Sequence, residues 1–348
     1  MPSEYFTIAD EIEKANFNRP HVVILGAGAS LAALPKGDRN GRRLPVIKNF
    51  VDVLGLASLL AENGVAAPYD DFEGLYSDIA QDVSKAELRT AIEQRVHDYF
   101  AGLQLPDTPT LYDHLILSLR PKDFIATFNW DPFLWLAGTC NYKFGGVPTL
   151  LFLHGNVAIG YCGDCQVVRR RGGNCRCGKL VSPSPLLYPI KHKNYQSDLA
   201  IAEDWRALKS ALKAAWTVTF FGYGAPKTDV EAIQLLKDGW GRVETRNLEQ
   251  TEIIDIRSED DLLNTWNPFI HTHHYTIRRS FYDSNIAKHP RRSCEALWQR
   301  LMENQHFEGS TFPTAASFSE LYRWLETRVQ AEKESTQADE ADRHSTEG

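Results

Sequence analysis

The fold is decided first by HVVILGAGAS, residues 21–30. The first five residues form an apolar, β-branched run, which is typical of a parallel strand that is buried on both faces. Glycines placed directly after such a run let the backbone turn tightly. The stretch therefore predicts a strand, a tight turn and the beginning of a helix.

Further apolar runs extend this strand into a sheet. Strands are predicted at Phe124–Phe128, Leu150–Leu153, Thr217–Phe221 and Glu252–Ile256, and helical spacing is found at Val46–Asn63, Ser84–Leu103, Leu111–Leu119 and Trp205–Trp216. Strands that alternate with helices favour a parallel sheet. We expect an α/β fold, with a Rossmann-like parallel-sheet domain, a helical insertion and a small inserted four-cysteine zinc module.

Composition and charge narrow the function classes. The chain has 348 residues, 43% hydrophobic and 24% charged, with a formal net charge of −7. An acidic surface does not attract nucleic acid or anionic lipid over its whole area. There is no apolar run long enough to cross a membrane and no export signal is evident, so we expect a cytoplasmic protein.

The glycine-rich turn is a candidate phosphate site. Gly26 and Gly28 would let a pyrophosphate approach the backbone N–H groups. The three-glycine fingerprint of dehydrogenases fails, because its third glycine would fall at Leu31. A plain strand-to-helix turn is the alternative.

Four cysteines crowd into one short segment, at Cys162, Cys165, Cys175 and Cys177. Four thiolates give a closed tetrahedral zinc site, which is structural because no position is left for water. The alternatives are a pair of disulfides or a degenerate site without metal. Zinc binding would contribute roughly 10–16 kcal/mol to the ordering of this insertion.

Polar residues follow two of the predicted strands. Asn129 and Asp131 come after the strand that ends at Phe128, and His154 comes after the strand that ends at Leu153. Ligands bind at the carboxyl ends of strands in open α/β sheets. An amide and a carboxylate there can stabilise developing positive charge, and a histidine can act as a general base. The alternatives are a turn or helix cap for the pair and a hydrogen-bonded core residue for His154.

The combination of these motifs resembles the sirtuin family of NAD-consuming enzymes. The residues that carry the resemblance lie between about 20 and 280: Gly26–Ser30, Thr127–Asp131, Leu153–Gly155, the four cysteines and the segment Phe221–Asp229. The last segment is similar to one found in bacterial sirtuin-like proteins, and anti-phage NADases of this type are the nearest group.

The resemblance implies a role for each matched residue. Gly26, Ala27, Gly28, Ala29 and Ser30 would hold the NAD diphosphate. Thr127 would belong to the cofactor-binding residues, with Asn129 by the nicotinamide ribose and Asp131 by the carboxamide. His154 would contact ribose hydroxyls and act as general base. Gly222, Tyr223 and Asp255 would lie on the adenosine side.

Two departures from the family pattern bear on whether the reaction is peptide deacylation or NAD hydrolysis. Deacylases pair a peptide with a strand after the zinc module, but that stretch here is Val181–Pro189 and contains three prolines, which remove backbone donors. The nicotinamide-side loop has two partial matches, at Leu34-Pro35 and at Leu44-Pro45. These departures favour an NAD glycohydrolase that releases nicotinamide and ADP-ribose.

Two other functions stay open at this point, an NAD-dependent protein deacylase and a non-catalytic NAD or ADP-ribose sensor. The anti-phage resemblance implies activation by a protein partner or a foreign trigger. Oligomers are compatible with the sequence, whereas membrane association and direct nucleic-acid binding are not indicated.

The predicted organisation has four parts. They are a helical lead at 1–20, a sirtuin-like NAD-binding domain at 21–285, a helical segment at 286–330 and a disordered tail at 331–348. Within the domain, residues 36–120 form the helical insertion and residues 158–182 form the zinc module.

Overall fold

The computed structural model describes most of the chain. The described residues are 5–6, 17–144, 146–189, 195, 198–225, 229–242, 246, 248–270, 274–307, 309, 312–313, 317–326, 328–330 and 332–333.

A six-stranded parallel sheet forms the centre of the molecule. Its strands are β2 (His21–Leu25), β3 (Phe124–Thr127), β4 (Thr149–Phe152), β8 (Thr217–Phe221), β9 (Gln250–Ile254) and β10 (Tyr275–Arg278), in the order β10-β9-β8-β2-β3-β4. Every neighbouring pair is parallel. The α/β prediction is confirmed, and the HVVIL run is a strand with the predicted bounds.

The alternation of side chains along the central strands builds two cores. Val23 and Leu25 of β2 pack into one cluster, and Val22 and Ile24 pack into another. All four side chains are fully buried. Because successive side chains point to opposite faces of a strand, both faces of the sheet are covered.

Helices cover the sheet and fill the predicted insertion. They are α1 (Ala27–Ala33), α2 (Phe50–Val53), α3 (Ala57–Glu62), α4 (Phe72–Gln81), α5 (Ala86–Ala101), α6 (Leu111–Leu117), α7 (Phe133–Asn141), α8 (Leu199–Ala214), α9 (Val230–Trp240), α10 (Glu259–Trp266), α11 (Asn285–Lys288) and α12 (Ser293–Met302). Residues 318–326 are also helical. The predicted apolar face of α5 is buried, with Leu88, Ile92, Val96 and Phe100 in the core.

Several predicted elements have other bounds in the structure; the helix predicted at Trp205–Trp216, for example, is α8, which runs from Leu199 to Ala214. The helical pattern at Val46–Asn63 is broken into a 3₁₀ turn (Ile47–Asn49), α2 and α3, and Gly55 between the helices has a positive φ of 64°. The strand predicted at Glu252–Ile256 is β9, which runs from Gln250 to Ile254. Its register follows β8, with Thr217 opposite Gln250, and the Asp255 carboxylate accepts the Arg257 amide in a turn that ends the strand.

The cysteine-containing insertion has its own small sheet, which sequence periodicity did not predict. Strands β5 (Ile159–Cys162), β6 (Val167–Arg170) and β7 (Ser182–Pro183) form it in the order β6-β5-β7, with antiparallel pairing. Outside both sheets, β1 (Tyr5–Phe6) pairs with β11 (His306–Phe307), so these residues of the predicted helical lead are extended.

A side chain accepts one of the backbone donors at the β4 edge of the main sheet. The Asp204 carboxylate of α8 accepts the backbone N–H of Phe152 in the edge strand β4, at 2.6 Å. Burial raises the pKa of Asp204 to about 7. Among the described residues, no helix has the length and apolar character needed to cross a membrane.

Candidate active site

The strand order places a cavity where the chain reverses direction in the sheet. The chain passes from β2 to β3 and β4 on one side and later returns with β8 on the other side of β2. Ligand sites of open α/β sheets lie at such a switch point. A cavity of about 360 Å³ opens there, lined by residues from the loops after β2, β3, β4 and β8.

The glycine-rich turn packs against the loop that follows β8. The Gly26 amide donates to the Phe221 carbonyl at 3.0 Å, and the Gly28 amide donates to the Gly222 carbonyl at 2.9 Å. A Cβ on Gly28 would lie 2.7 Å from the Cα of Gly222, which itself has a φ of +60°. These glycines therefore allow two neighbouring loops to touch. Because the N–H groups of Gly26 and Gly28 donate to carbonyls in that contact, they are not the free donors that the sequence predicted for a pyrophosphate.

Ser30 lies at the centre of a buried hydrogen-bond network. Its hydroxyl donates to Asp131 Oδ2 at 2.7 Å, and it accepts from Asn129 Nδ2 at 3.0 Å. Since the single hydroxyl proton of Ser30 is used, the Tyr112 hydroxyl at 2.7 Å is the donor in the third bond. Ser30 is only 3% exposed, so it orients Asn129 and Asp131 instead of facing solvent.

The amide of Asn129 is fixed in orientation. Its Nδ2 also donates to the Gly26 carbonyl at 2.9 Å, and its backbone N–H donates to Thr127 Oγ1. Among the hydrogen bonds between described residues, Nδ2 is the amide atom that is used. The oxygen Oδ1 is therefore the atom left to contact a ligand in the cavity that Asn129 lines.

Asp131 is buried within this hydrogen-bond network. Besides Ser30, its carboxylate accepts the backbone N–H of Phe133 at 3.2 Å. Burial raises the pKa of Asp131 to about 6, although the hydrogen bonds from Ser30 and Phe133 oppose this change. The carboxyl group thus changes its charge close to neutral pH.

His154 follows β4 and lines the same cavity as Asn129 and Asp131. Its Nε2 lies 3.2 Å from the Tyr195 hydroxyl, and its ring forms a T-shaped contact with the ring of Phe128. Its carbonyl accepts the backbone N–H of Leu187 at 2.9 Å. The residues after β7 therefore run directly past His154, and Leu187 and Pro189 also line the cavity.

Two aromatic rings form one wall of the cavity. Phe128 and Tyr223 stack with ring centroids 4.2 Å apart and 10° between their planes. The Tyr223 hydroxyl donates to Asp229 Oδ2 at 3.0 Å, and burial together with that carboxylate raises its pKa well above the usual range. Tyr223 is thus a neutral hydrogen-bond donor whose ring supports Phe128.

Another part of the lining is apolar. It is formed by Leu44, Pro45, Val46, Ile47, Phe50, Phe72 and Phe100. Of the two partial loop matches, Leu44-Pro45 lines the cavity, whereas Leu34-Pro35 is not among its described lining residues. Apolar side chains on this side would keep bulk water from a bound ligand.

The remaining predicted residues differ in their relation to the cavity. Ala27 lines it, whereas Ala29, Thr127 and Asp255 do not belong to the described lining. Thr127 positions Asn129, as described above. The Asp255 carboxylate accepts from the Arg257 guanidinium at 3.0 Å, so it is paired within its own turn.

The four cysteines form a site that is compatible with structural zinc. Their sulfur atoms all lie within 4.8 Å of one another, and the Sγ atoms of Cys162 and Cys177 are 3.6 Å apart. The edge of a tetrahedral Zn–S₄ site is about 3.8 Å, from Zn–S bonds of about 2.3 Å. All four cysteines are free, so the disulfide alternative is not what the structure adopts.

Sequence reasoning missed several residues that support the site. Tyr112 lies on α6, Tyr195 approaches His154, and Asn156 Nδ2 donates to the Asp131 carbonyl. Asn156 follows Leu153-His154-Gly155 by one position, and this proximity is a signal that could have indicated it. Tyr112 and Tyr195 reach the site only through tertiary packing.

Comparisons with protein-family models and with curated protein sequences give no match. Solved structures of Sir2-family proteins are similar to this chain. A Sir2 homolog–NAD complex is 13% identical, over 94% of this chain and 97% of that one, with a TM-score of 0.38. A structure described as showing the mechanism and regulation of Sir2 enzymes is 15% identical, over 84% and 99%, with a TM-score of 0.39. Sir2 bound to an inhibitor, 2′-O-acetyl-ADP-ribose and a deacetylated peptide is 15% identical, over 82% and 94%, with a TM-score of 0.37.

Proposed function

We propose that this protein cleaves NAD between nicotinamide and ribose and transfers the ADP-ribosyl group to water. One observation carries the proposal: Asn129, Asp131 and His154, which follow two different strands, line one cavity at the switch point of the sheet. An oriented amide can stabilise the charge that develops on the ribose, and an imidazole can act as general base.

The cavity has a suitable size and lining for part of a dinucleotide. Its volume of about 360 Å³ lies within the range of small-molecule sites, roughly 300–1,000 Å³. We place the diphosphate against the Gly26–Ser30 turn and the adenosine toward Gly222 and Tyr223, with Asp255 farther out. The nicotinamide ribose would then lie between Asn129 and His154.

The chemistry follows from the orientation of Asn129. When the bond between C1′ and the ring nitrogen breaks, the electron pair leaves with nicotinamide and positive charge develops on the ribose. The fixed Oδ1 of Asn129 would stabilise that charge, because it is an oriented dipole beside apolar walls that exclude water. Water then bonds to C1′, and His154 accepts the proton that the water loses.

The segment after β7 favours water over a peptide as the acceptor. The Leu187 N–H is already used by the His154 carbonyl, and positions 183, 185 and 189 are prolines, which have no N–H. An acylated peptide that paired with this segment as a strand would find few backbone donors. We therefore rank the glycohydrolase above the NAD-dependent deacylase.

The direct test is incubation of the purified protein with NAD, with nicotinamide and ADP-ribose measured by chromatography and mass spectrometry. We expect Asn129→Ala and His154→Ala to lower the rate about 10²–10⁴-fold, as for the loss of a preorganised polar group or a general base. Asn63→Ala, at an exposed helix end, is the matched control and should leave the rate unchanged. Equal turnover in all three variants would refute the assignment of the site.

The same assay separates the two other functions. Adding an acetylated peptide would give O-acyl-ADP-ribose at the rate of nicotinamide release if the protein were a deacylase. Tight NAD binding without nicotinamide release under any condition would indicate a sensor.

We place the activity in anti-phage defence inside the cytoplasm, with a protein partner or foreign trigger that activates it. The segment Phe221–Asp229, which is similar to one found in bacterial sirtuin-like proteins, supports this context. The test is the NAD level of expressing cells after phage infection, which should fall in the wild type and stay constant with His154→Ala.

A further inference from the structure

A second cavity lies on one face of the sheet, under the short helices that follow β10. Its volume is about 110 Å³, and it is lined by residues of β8, β9, β10, α11 and α12 and of the turns between them. It is separate from the candidate active site, because the described linings of the two cavities share no residue.

The strands that form its floor have polar side chains where a parallel sheet normally has apolar ones. Thr217, Gln250 and Glu252 point into this face and are buried, and Thr276 and Arg278 of the edge strand join them. Strands covered on both faces are usually apolar throughout. Buried polar side chains need partners, so this polar floor requires an explanation.

The hydrogen-bonding groups of these polar side chains are only partly satisfied by the protein. The Glu252 carboxylate accepts the backbone N–H of Asn285 at 2.9 Å and the Thr219 hydroxyl at 3.3 Å. Thr217 Oγ1 and Arg278 Nε, however, are buried atoms that have no hydrogen-bond partner among the described residues. Thr217 is 1% exposed, so bulk water does not satisfy its hydroxyl.

The charges around the cavity are mostly positive. Arg278, Arg300 and Lys288 line it, together with His289, against the two carboxylates Glu252 and Asp283. The only ion pair that these three cations form with described residues is Arg278 to Glu252, at the long distance of 4.0 Å. Arg278 and Arg300 line the same small cavity, so their two guanidinium groups bring like charges together there.

We propose that this second cavity binds a phosphate-class oxyanion through Arg278, Arg300 and Lys288. An anion between the guanidinium groups would remove their repulsion, and it would accept the hydrogen bonds that Arg278 Nε and Thr217 Oγ1 can donate. Guanidinium groups match the geometry of phosphate oxygens. The ligand is free phosphate or the phosphoryl group of a sugar phosphate.

The experiment is calorimetric titration of the full chain with inorganic phosphate, against sodium chloride at equal ionic strength. We expect saturable binding of phosphate alone. Arg278→Gln and Arg300→Gln should each weaken binding about 10- to 100-fold, as for the loss of a hydrogen bond to a charged group. Arg206→Gln, an exposed arginine paired with Glu203, is the matched control and should bind like the wild type.

One further variant has an effect of the opposite sign. Glu252→Gln removes the buried negative charge but keeps an acceptor for Asn285, so phosphate should bind more tightly. Competition by ribose 5-phosphate would assign the site to a sugar phosphate, and its failure would assign the site to the free ion.

The proposal is overturned if phosphate produces no more heat than chloride, or if both arginine variants bind phosphate as the wild type does. Arg300 is exposed, so its variant should fold even if Arg278→Gln does not. None of these measurements depends on turnover of NAD.

Discussion

The candidate active site and the four-cysteine cluster both gather side chains from separate positions, but they are held together in different ways. The active-site residues project from the ends of a large buried sheet, and Ser30, Asn129 and Asp131 are joined by hydrogen bonds. Cys162 ends strand β5 of the small sheet, and the other three cysteines lie outside its strands. The apolar cluster there contains Cys162, Cys175 and Val181, with Val167 packed against it. The first site is organised by the core, whereas the second has little apolar packing and would depend on metal.

Removal of the metal should produce the largest difference between the two regions. A chelator is expected to unfold residues 158–182, because zinc would supply roughly 10–16 kcal/mol there, while the six-stranded sheet stays folded. Hydrogen exchange measured by mass spectrometry would locate the loss of protection. Cys165→Ser should imitate the chelator, and Cys140→Ser, at an exposed lone cysteine, should not. A folded module that contains no zinc by elemental analysis would contradict this expectation.

One methyl group added at Gly222 should disrupt the backbone contact between two loops of the active site. Gly222→Ala places a Cβ 2.3 Å from the Ala29 nitrogen and puts alanine at a φ of +60°. We expect a loss of about 4 kcal/mol in the free energy of unfolding, from left-handed strain and overpacking together. Gly224→Ala is the control, since a Cβ there meets nothing within 4 Å. Equal denaturation midpoints for the two variants would show that the loop contact is unimportant.

The buried carboxyl group of Asp131 should make stability depend on pH. Its pKa is raised to about 6 in the folded protein, against 3.8 for an exposed aspartate. Between about pH 4 and pH 6 the unfolded chain loses this proton first, so stability falls as the pH rises, by about 3 kcal/mol. Below about pH 4, Asp131 is protonated in both the folded and the unfolded protein, so its burial no longer lowers the free energy of unfolding.

The measurement is the free energy of unfolding of the wild type and of Asp131→Asn from pH 4 to pH 7. The difference between the two proteins should change in favour of the variant as the pH rises. Asp204→Asn provides a comparison away from the cavity, with its change extending toward pH 7 because the pKa of Asp204 is about 7. A difference that does not change with pH would mean that Asp131 titrates normally.

The smallest predicted effect tests the hydrogen-bond network alone. Tyr112→Phe removes the donor to Ser30 and should cost about 1 kcal/mol of stability and lower NAD turnover about fivefold. Tyr69→Phe removes a comparable hydroxyl bond, to the Val65 carbonyl, and Tyr69 is not among the described residues that line the cavity. It should affect stability but not turnover, and an equal loss of turnover would leave Tyr112 without a positioning role.

Much of this architecture could be predicted from local sequence pattern. The apolar run at His21–Leu25 is a strand and the apolar face of α5 is buried, as predicted. Both could be predicted because burial requires apolar residues throughout a covered strand and at helical spacing on one face of a helix. The cysteine spacing also predicted a cluster within metal-binding distance.

The rest depends on contacts between distant segments. The end of β9 shifted by two residues because pairing with β8 sets its register, and Tyr112 and Tyr195 reach the site from elements with no motif of their own. Ser30 was predicted to hold a diphosphate, but nothing in its own motif indicated that its hydroxyl would be shared by three neighbours.

Asp204 has a consequence for how copies of the molecule meet. An edge strand with free N–H groups is a template for joining sheets from different molecules, and this is a route to aggregation. On β4 one of those donors, the Phe152 N–H, is already occupied by the Asp204 carboxylate. A carboxylate on an adjacent helix thus helps to keep the sheets of separate molecules apart, at the concentrations that expression and crystallisation require.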